Sequence, residues 1–95
     1  MLVIIKSSPD TPAGRRGVKT ARNLRADIAL IQNGVYFLKG SALENLNYVG
    51  TAYALEDDRR LRGLGAVDEN INVKEINYDG LVDLLAESDK VIGMF

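Results

Sequence analysis

Five short blocks of apolar residues punctuate the chain: residues 2–6 (LVIIK), 28–31 (IALI), 50–55 (GTAYAL), 71–76 (INVKEI) and 90–95 (KVIGMF). The first two are continuous rather than alternating. That pattern predicts strands buried on both faces, as in a parallel sheet with helices on each side. The fourth block alternates imperfectly, so its exposure stays open. Between the blocks the pattern turns helical. Thr11 is a good N-cap and Pro12 suits a first helical position, which predicts a helix over residues 12–25. On a wheel its inner face gathers Ala13, Gly17, Thr20, Ala21 and Leu24, with Arg15, Lys19 and Arg22 opposite. Ser41 and Glu44 fit a capping box that opens a short helix to about residue 46. Glu56, Asp57 and Asp58 start a further helix, with Arg59, Arg60 and Arg62 toward its end, as the helix dipole favours. Gly63 and Gly65 stop it, and residues 68–70 read as loop. Asn77 or Asp79 caps a last helix with Leu81, Val82, Leu84 and Leu85 as its apolar stripe.

The stretch 27–40 (DIALIQNGVYFLKG) organises the rest. Its strand breaks at Gln32-Asn33-Gly34, where Asn and Gly tolerate the positive φ of a sharp turn. A helical turn over residues 35–38 follows at once. The whole order is β-α-β-α-β-α-β-α-β, uninterrupted by repeat, linker or low-complexity segment. It predicts a doubly wound, three-layer α/β/α domain over residues 1–95, with a mostly parallel sheet of about five strands and right-handed crossovers. In such a sheet, function gathers where the central strands end.

Charge changes this picture more than composition does. The 95 residues carry a net charge of −1. Residues 1–48 hold seven basic and three acidic groups, and residues 49–95 hold five basic and ten acidic. A molecule with one basic and one acidic side can associate with itself or with similar subunits. Cysteine and histidine are both absent. The chain therefore has no disulfide, no thiolate or persulfide carrier, no Cys/His zinc site and no imidazole base. No stretch approaches a membrane span, and the first apolar run is too short for a signal-peptide core. A cytoplasmic protein without a cofactor is the expectation.

Three groups of residues are candidates for function. Ser7 and Ser8 follow the first strand and could hold an anion beside a helix N-terminus, although no glycine-rich phosphate motif accompanies them and a hydrogen-bonded cap loop explains them more simply. Glu56, Asp57 and Asp58 could serve a metal or acid–base chemistry, but dipole and salt-bridge effects account for them more cheaply. A hydrolytic or metal enzyme using Ser7, Ser8 or Asp57 would thus work without a histidine, an uncommon arrangement. Tyr36 and Phe37 after the turn are candidate interface anchors. A separate reading gives the basic helix face, Arg15 to Arg25, to RNA or an acidic partner. A solvated surface is the simpler explanation, since no aromatic residues interleave with its charges.

Three stretches together resemble one family: LIQNGVYFL (residues 30–38), YALEDDRRLRGL (53–64) and INYDGLVDLL (76–85). In this order and spacing they are similar to the DsrH/TusB group of small sulfur-relay subunits, within the wider DsrE/DsrF-like set. The resemblance spans nearly the whole chain and implies a small parallel α/β sheet. It implies a non-catalytic role in assemblies with DsrE/TusD-like and DsrF/TusC-like subunits, or with further copies of the chain. Such assemblies serve 2-thiouridine formation at tRNA wobble positions or sulfur oxidation, with tRNA contacted at most indirectly. A sulfur-carrying role transfers to no residue here. The expected interface residues are Gln32, Asn33, Gly34, Tyr36, Phe37, Tyr53, Asp57 and Asp58.

Overall fold

The computed structural model describes residues 1–65 and 72–95. Five strands, β1 (Leu2–Ile5), β2 (Asp27–Leu30), β3 (Ala52–Leu55), β4 (Val73–Ile76) and β5 (Val91–Met94), form one sheet in the order β4-β3-β2-β1-β5. Every pairing is parallel. The helices are α1 (Pro12–Leu24), α2 (Ala42–Asn45), α3 (Glu56–Leu61) and α4 (Tyr78–Glu87), with a 3-10 helix over Gln32–Leu38.

Topology decides which face each helix covers. The chain steps from β1 through β2 and β3 to β4 in one direction, then returns across the sheet to β5. Right-handed crossovers place the helices of the outward steps on one face and α4 on the other. The packing agrees. Val3, Ile5, Ile28, Leu30 and Ala52 meet Val18 and Ala21 of α1, with Val35 and Phe37 of the 3-10 helix. The alternate residues Leu2, Ile4 and Ala29 meet Leu81, Leu84 and Leu85 of α4. β1 and β2 are buried along nearly their whole length, as their unbroken apolar runs require.

Several boundaries depart from expectation. In α1, Arg25 is the left-handed C-cap rather than a helical residue, at φ 55°. The buried face is Gly14, Gly17, Val18 and Ala21, so the wheel is turned by one position and Leu24 is exposed. Ser41 precedes α2 but its hydroxyl makes no cap hydrogen bond. β3 begins at Ala52, two residues after the expected start, and Gly50 lies against the hydroxyl end of Tyr48. β4 begins at Val73, and the expected strand start at residue 71 and the loop 68–70 fall outside the described residues. Gly63 ends α3 with φ 66°, as expected. Asn77 caps α4 by accepting from the Gly80 N–H at 2.8 Å.

Candidate functional site

β2 is the middle strand, and the chain leaves its carboxyl end through a turn whose geometry differs from the Asn-Gly expectation. The left-handed residue is Gln32, at φ 49°, while Asn33 and Gly34 keep ordinary backbone angles. Gly34 is required for another reason. A Cβ there would collide with the Ile5 carbonyl oxygen at the end of β1. The same carbonyl accepts the Ile31 N–H at 3.0 Å, and Ile31 O accepts the Gly34 N–H at 2.8 Å. The turn is thus pressed against β1 by backbone bonds, and any side chain at 34 would prise it off.

α3 locks the turn from the other side. The Asp58 carboxylate accepts the Gln32 N–H at 2.6 Å, which holds the left-handed residue in place. Arg62 donates from Nε to Asn33 Oδ1 at 2.9 Å and from Nη1 to the Asp58 carbonyl at 3.1 Å. Its guanidinium also lies 3.6 Å from Asp58 Oδ1. Arg59 ties α3 in turn to β4, donating to both Glu75 oxygens at 2.6 and 3.2 Å and to Leu64 O at 2.9 Å. Glu75 holds the Arg59 guanidinium even further toward its charged form than usual. The 3-10 helix, α3 and the ends of β1 and β4 therefore form one cross-braced block.

The expected interface residues divide across this block. Gln32 and Asn33 are exposed on its rim and Tyr36 is half-buried there, whereas Tyr53 is half-buried on the opposite face of the sheet, in register with Ala29. Phe37, at 1% exposure, belongs to the core and offers no contact surface, because its position on the 3-10 helix faces the sheet. Gly34 is buried against β1, and Asp58 is spent on the turn. Glu56 pairs with Arg60 on the same helix, leaving Asp57 exposed. The three consecutive acids thus diverge, and among the described residues no group of three acidic side chains is gathered for a metal. Leu61 is the residue that sequence reasoning passed over. It is 79% exposed one turn beyond Asp57, and an apolar residue amid charged neighbours was its signal.

Ser7 and Ser8 serve the loop rather than an anion. The Ser8 hydroxyl donates to the Asp10 carboxylate, which holds Asp10 below the usual carboxylate range. The Ser8 carbonyl accepts the Thr11 hydroxyl at 2.7 Å, and Thr11 Oγ1 accepts the Gly14 N–H at 3.1 Å. The Ser7 and Ser8 carbonyl oxygens crowd Gly14. A nearby carboxylate and inward-facing carbonyls make the spot repel anions. Just beyond β5, beside which strand order reverses, Phe95 packs against the core next to Gly17, and its carbonyl accepts the Lys6 and Ser7 N–H groups at 2.7 and 3.1 Å. On the basic helix, Arg15 donates to Pro9 O and Arg22 to Leu46 O, at 3.1 and 2.9 Å.

The three motifs quoted above therefore fall on two structural units: the turn-and-α3 block, and the strand β4 with α4. A family profile described as "DsrH like protein" matches residues 18–91, which includes both. The chain belongs to the DsrH-like family. The solution NMR structure of protein Tm0979 from Thermotoga maritima is 32% identical to it, with 98% of this chain and 100% of that one aligned and a TM-score of 0.65. Comparison with curated proteins finds no match. DsrH-like membership supports a sulfur-relay subunit in general terms. Among the described residues no helix is long and apolar enough to cross a membrane.

Proposed function

We propose that this DsrH-like chain is a non-catalytic, cytoplasmic subunit that builds or regulates a sulfur-transfer complex through its surface. Residues 1–95 act as one domain, and a cysteine-bearing DsrE/TusD-like subunit, with or without a DsrF/TusC-like one, carries the sulfur. What supports this reading most is the block at the ends of β1 and β2. Four backbone and side-chain bonds hold the Gln32 turn in one shape, yet the block offers no thiol or imidazole to a substrate. A rigid, chemically quiet surface suits docking, because little ordering entropy is lost on binding. Asn33, Tyr36, Asp57 and Leu61 are its contact residues, and Tyr53, on the α4 face of the sheet beside Ala29, is not among them. The complex serves 2-thiouridine formation in tRNA or sulfur oxidation, and tRNA meets this chain only through its partners.

Affinity capture of the tagged chain from its native cell tests the proposal. A cysteine-bearing DsrE-like protein is expected in the eluate, and deletion is expected to lower either the 2-thiouridine content of tRNA or sulfur oxidation. An eluate without such a partner, together with unchanged thiolation and sulfur metabolism, rejects the reading.

A further inference from the structure

The two longest helices carry charge of opposite sign and no admixture. α1 (PAGRRGVKTARNL) has four basic residues and no acid, and α4 (YDGLVDLLAE) has three acids and no base. They sit on opposite faces of the sheet, since α1 packs on Val3, Ile5, Ile28 and Leu30 and α4 on Leu2, Ile4 and Ala29. The outer face of α4 is open, and on α1 Arg16 and Lys19 are exposed while Arg15 and Arg22 are half-buried with bonds to Pro9 O and Leu46 O. On α4, Asp79, Asp83 and Glu87 are exposed in one row at spacings of four residues, about 12 Å long at ~1.5 Å per residue. Beside that row, Tyr78 and Val82 are 55% and 63% exposed. On α1, Arg15, Lys19 and Arg22 make a row of about 11 Å by the same rise, with Arg16 alongside. Pro12, Arg16, Lys19, Thr20 and Asn23 line a surface depression there. Among the described residues, none of these charged side chains forms an ion pair within the chain.

We propose that the exposed face of α4 docks on the basic face of α1 of a second copy of this chain, head to tail. The rows are opposite in sign and alike in length, and Tyr78 and Val82 supply the apolar contact beside the charges. A two-fold dimer through either helix would set like charges against each other, which opposes association. Because the two faces lie on opposite sides of the sheet, each copy that docks leaves both end faces free. The interface is therefore heterologous and yields rings or open chains larger than a dimer. It uses neither the turn nor α3, so it stands or falls separately from the sulfur-relay proposal.

Sedimentation analysis of the purified chain over a range of concentrations tests this. Low salt is expected to give species above dimer mass, and ~1 M salt, with a screening length of ~3 Å, to give monomer. Two exposed reversals on α4, Asp83→Lys with Glu87→Lys, are expected to weaken association by about tenfold or more, and so are Arg16→Glu with Lys19→Glu on α1. All four together keep the net charge of −1 and are expected to restore association. Circular dichroism of each variant separates misfolding from lost docking. A chain that stays monomeric at low salt overturns the proposal and leaves these faces to other partners. Association that stops at a dimer, or a four-fold variant that folds and does not associate, overturns it equally.

Discussion

Tyr48 shows how a single polar atom fixes a segment that pattern alone leaves undefined. Its ring is buried and its hydroxyl donates toward Ala26 O at 2.8 Å, with Thr51 O 3.0 Å away. That hydroxyl ties the start of β2 to the entry of β3. Replacing it, Tyr48→Phe, leaves the Ala26 carbonyl without this donor, while Thr51 O keeps the Ile28 N–H, and is expected to cost about 1–2 kcal/mol in urea unfolding. Burial, reinforced by the nearby Asp27 charge, pushes the Tyr48 hydroxyl well above its ordinary value of 10.0. The folded state thus keeps a proton that the unfolded chain gives up. This contribution is intact below pH ~10 and falls as pH rises beyond it. Wild-type stability is expected to drop more steeply above pH ~10 than that of Tyr48→Phe, as measured by urea unfolding across pH. Gly34 makes the complementary point about space. Gly34→Ala sets a Cβ into the Ile5 carbonyl, and overpacking against fixed backbone is expected to cost about 3 kcal/mol.

At the scale of elements, what the sequence made legible follows burial. β1 and β2 read clearly because both faces of each are covered, so their apolar runs are unbroken. β4 reads poorly because it is an edge strand, and its Glu75 meets Arg59 of α3. The position of the turn after β2 is legible in the sequence, but its mechanics are not. An Asn-Gly pair announces positive φ, whereas here the strain sits on Gln32 and is held by a carboxylate 26 positions away. No local pattern encodes a contact of that range. The family resemblance rested on the same residues, so it located the block without describing how it is braced. Asp58→Asn leaves the shape but weakens the bond to the Gln32 N–H, and is expected to cost about 1.5 kcal/mol. Amide exchange at Gln32 should accelerate more than exchange in β1 or β2. Removing the Arg59 guanidinium with Arg59→Met is expected to lower the melting temperature more than Arg60→Ala, because Arg59 bridges α3 to β4 whereas Arg60 pairs with Glu56 on its own helix.

Across the whole molecule, one braced block at the strand ends and two oppositely charged helical faces divide the surface between them. The fold supplies no thiol, and the assigned role falls on shape. A subunit that works by docking should tolerate loss of any one ionisable group better than loss of an exposed apolar anchor. The most direct measurement of the central claim is therefore comparative capture from the native cell, with the wild-type chain and Leu61→Asp as tagged baits at equal expression. Leu61 is exposed, so the variant should fold with unchanged stability. Wild type is expected to retain a cysteine-bearing DsrE-like subunit, and Leu61→Asp to lose it by about tenfold or more. Equal recovery of that partner by both baits would contradict the assignment of the turn-and-α3 block as the docking surface, and recovery of none by wild type would contradict the role itself.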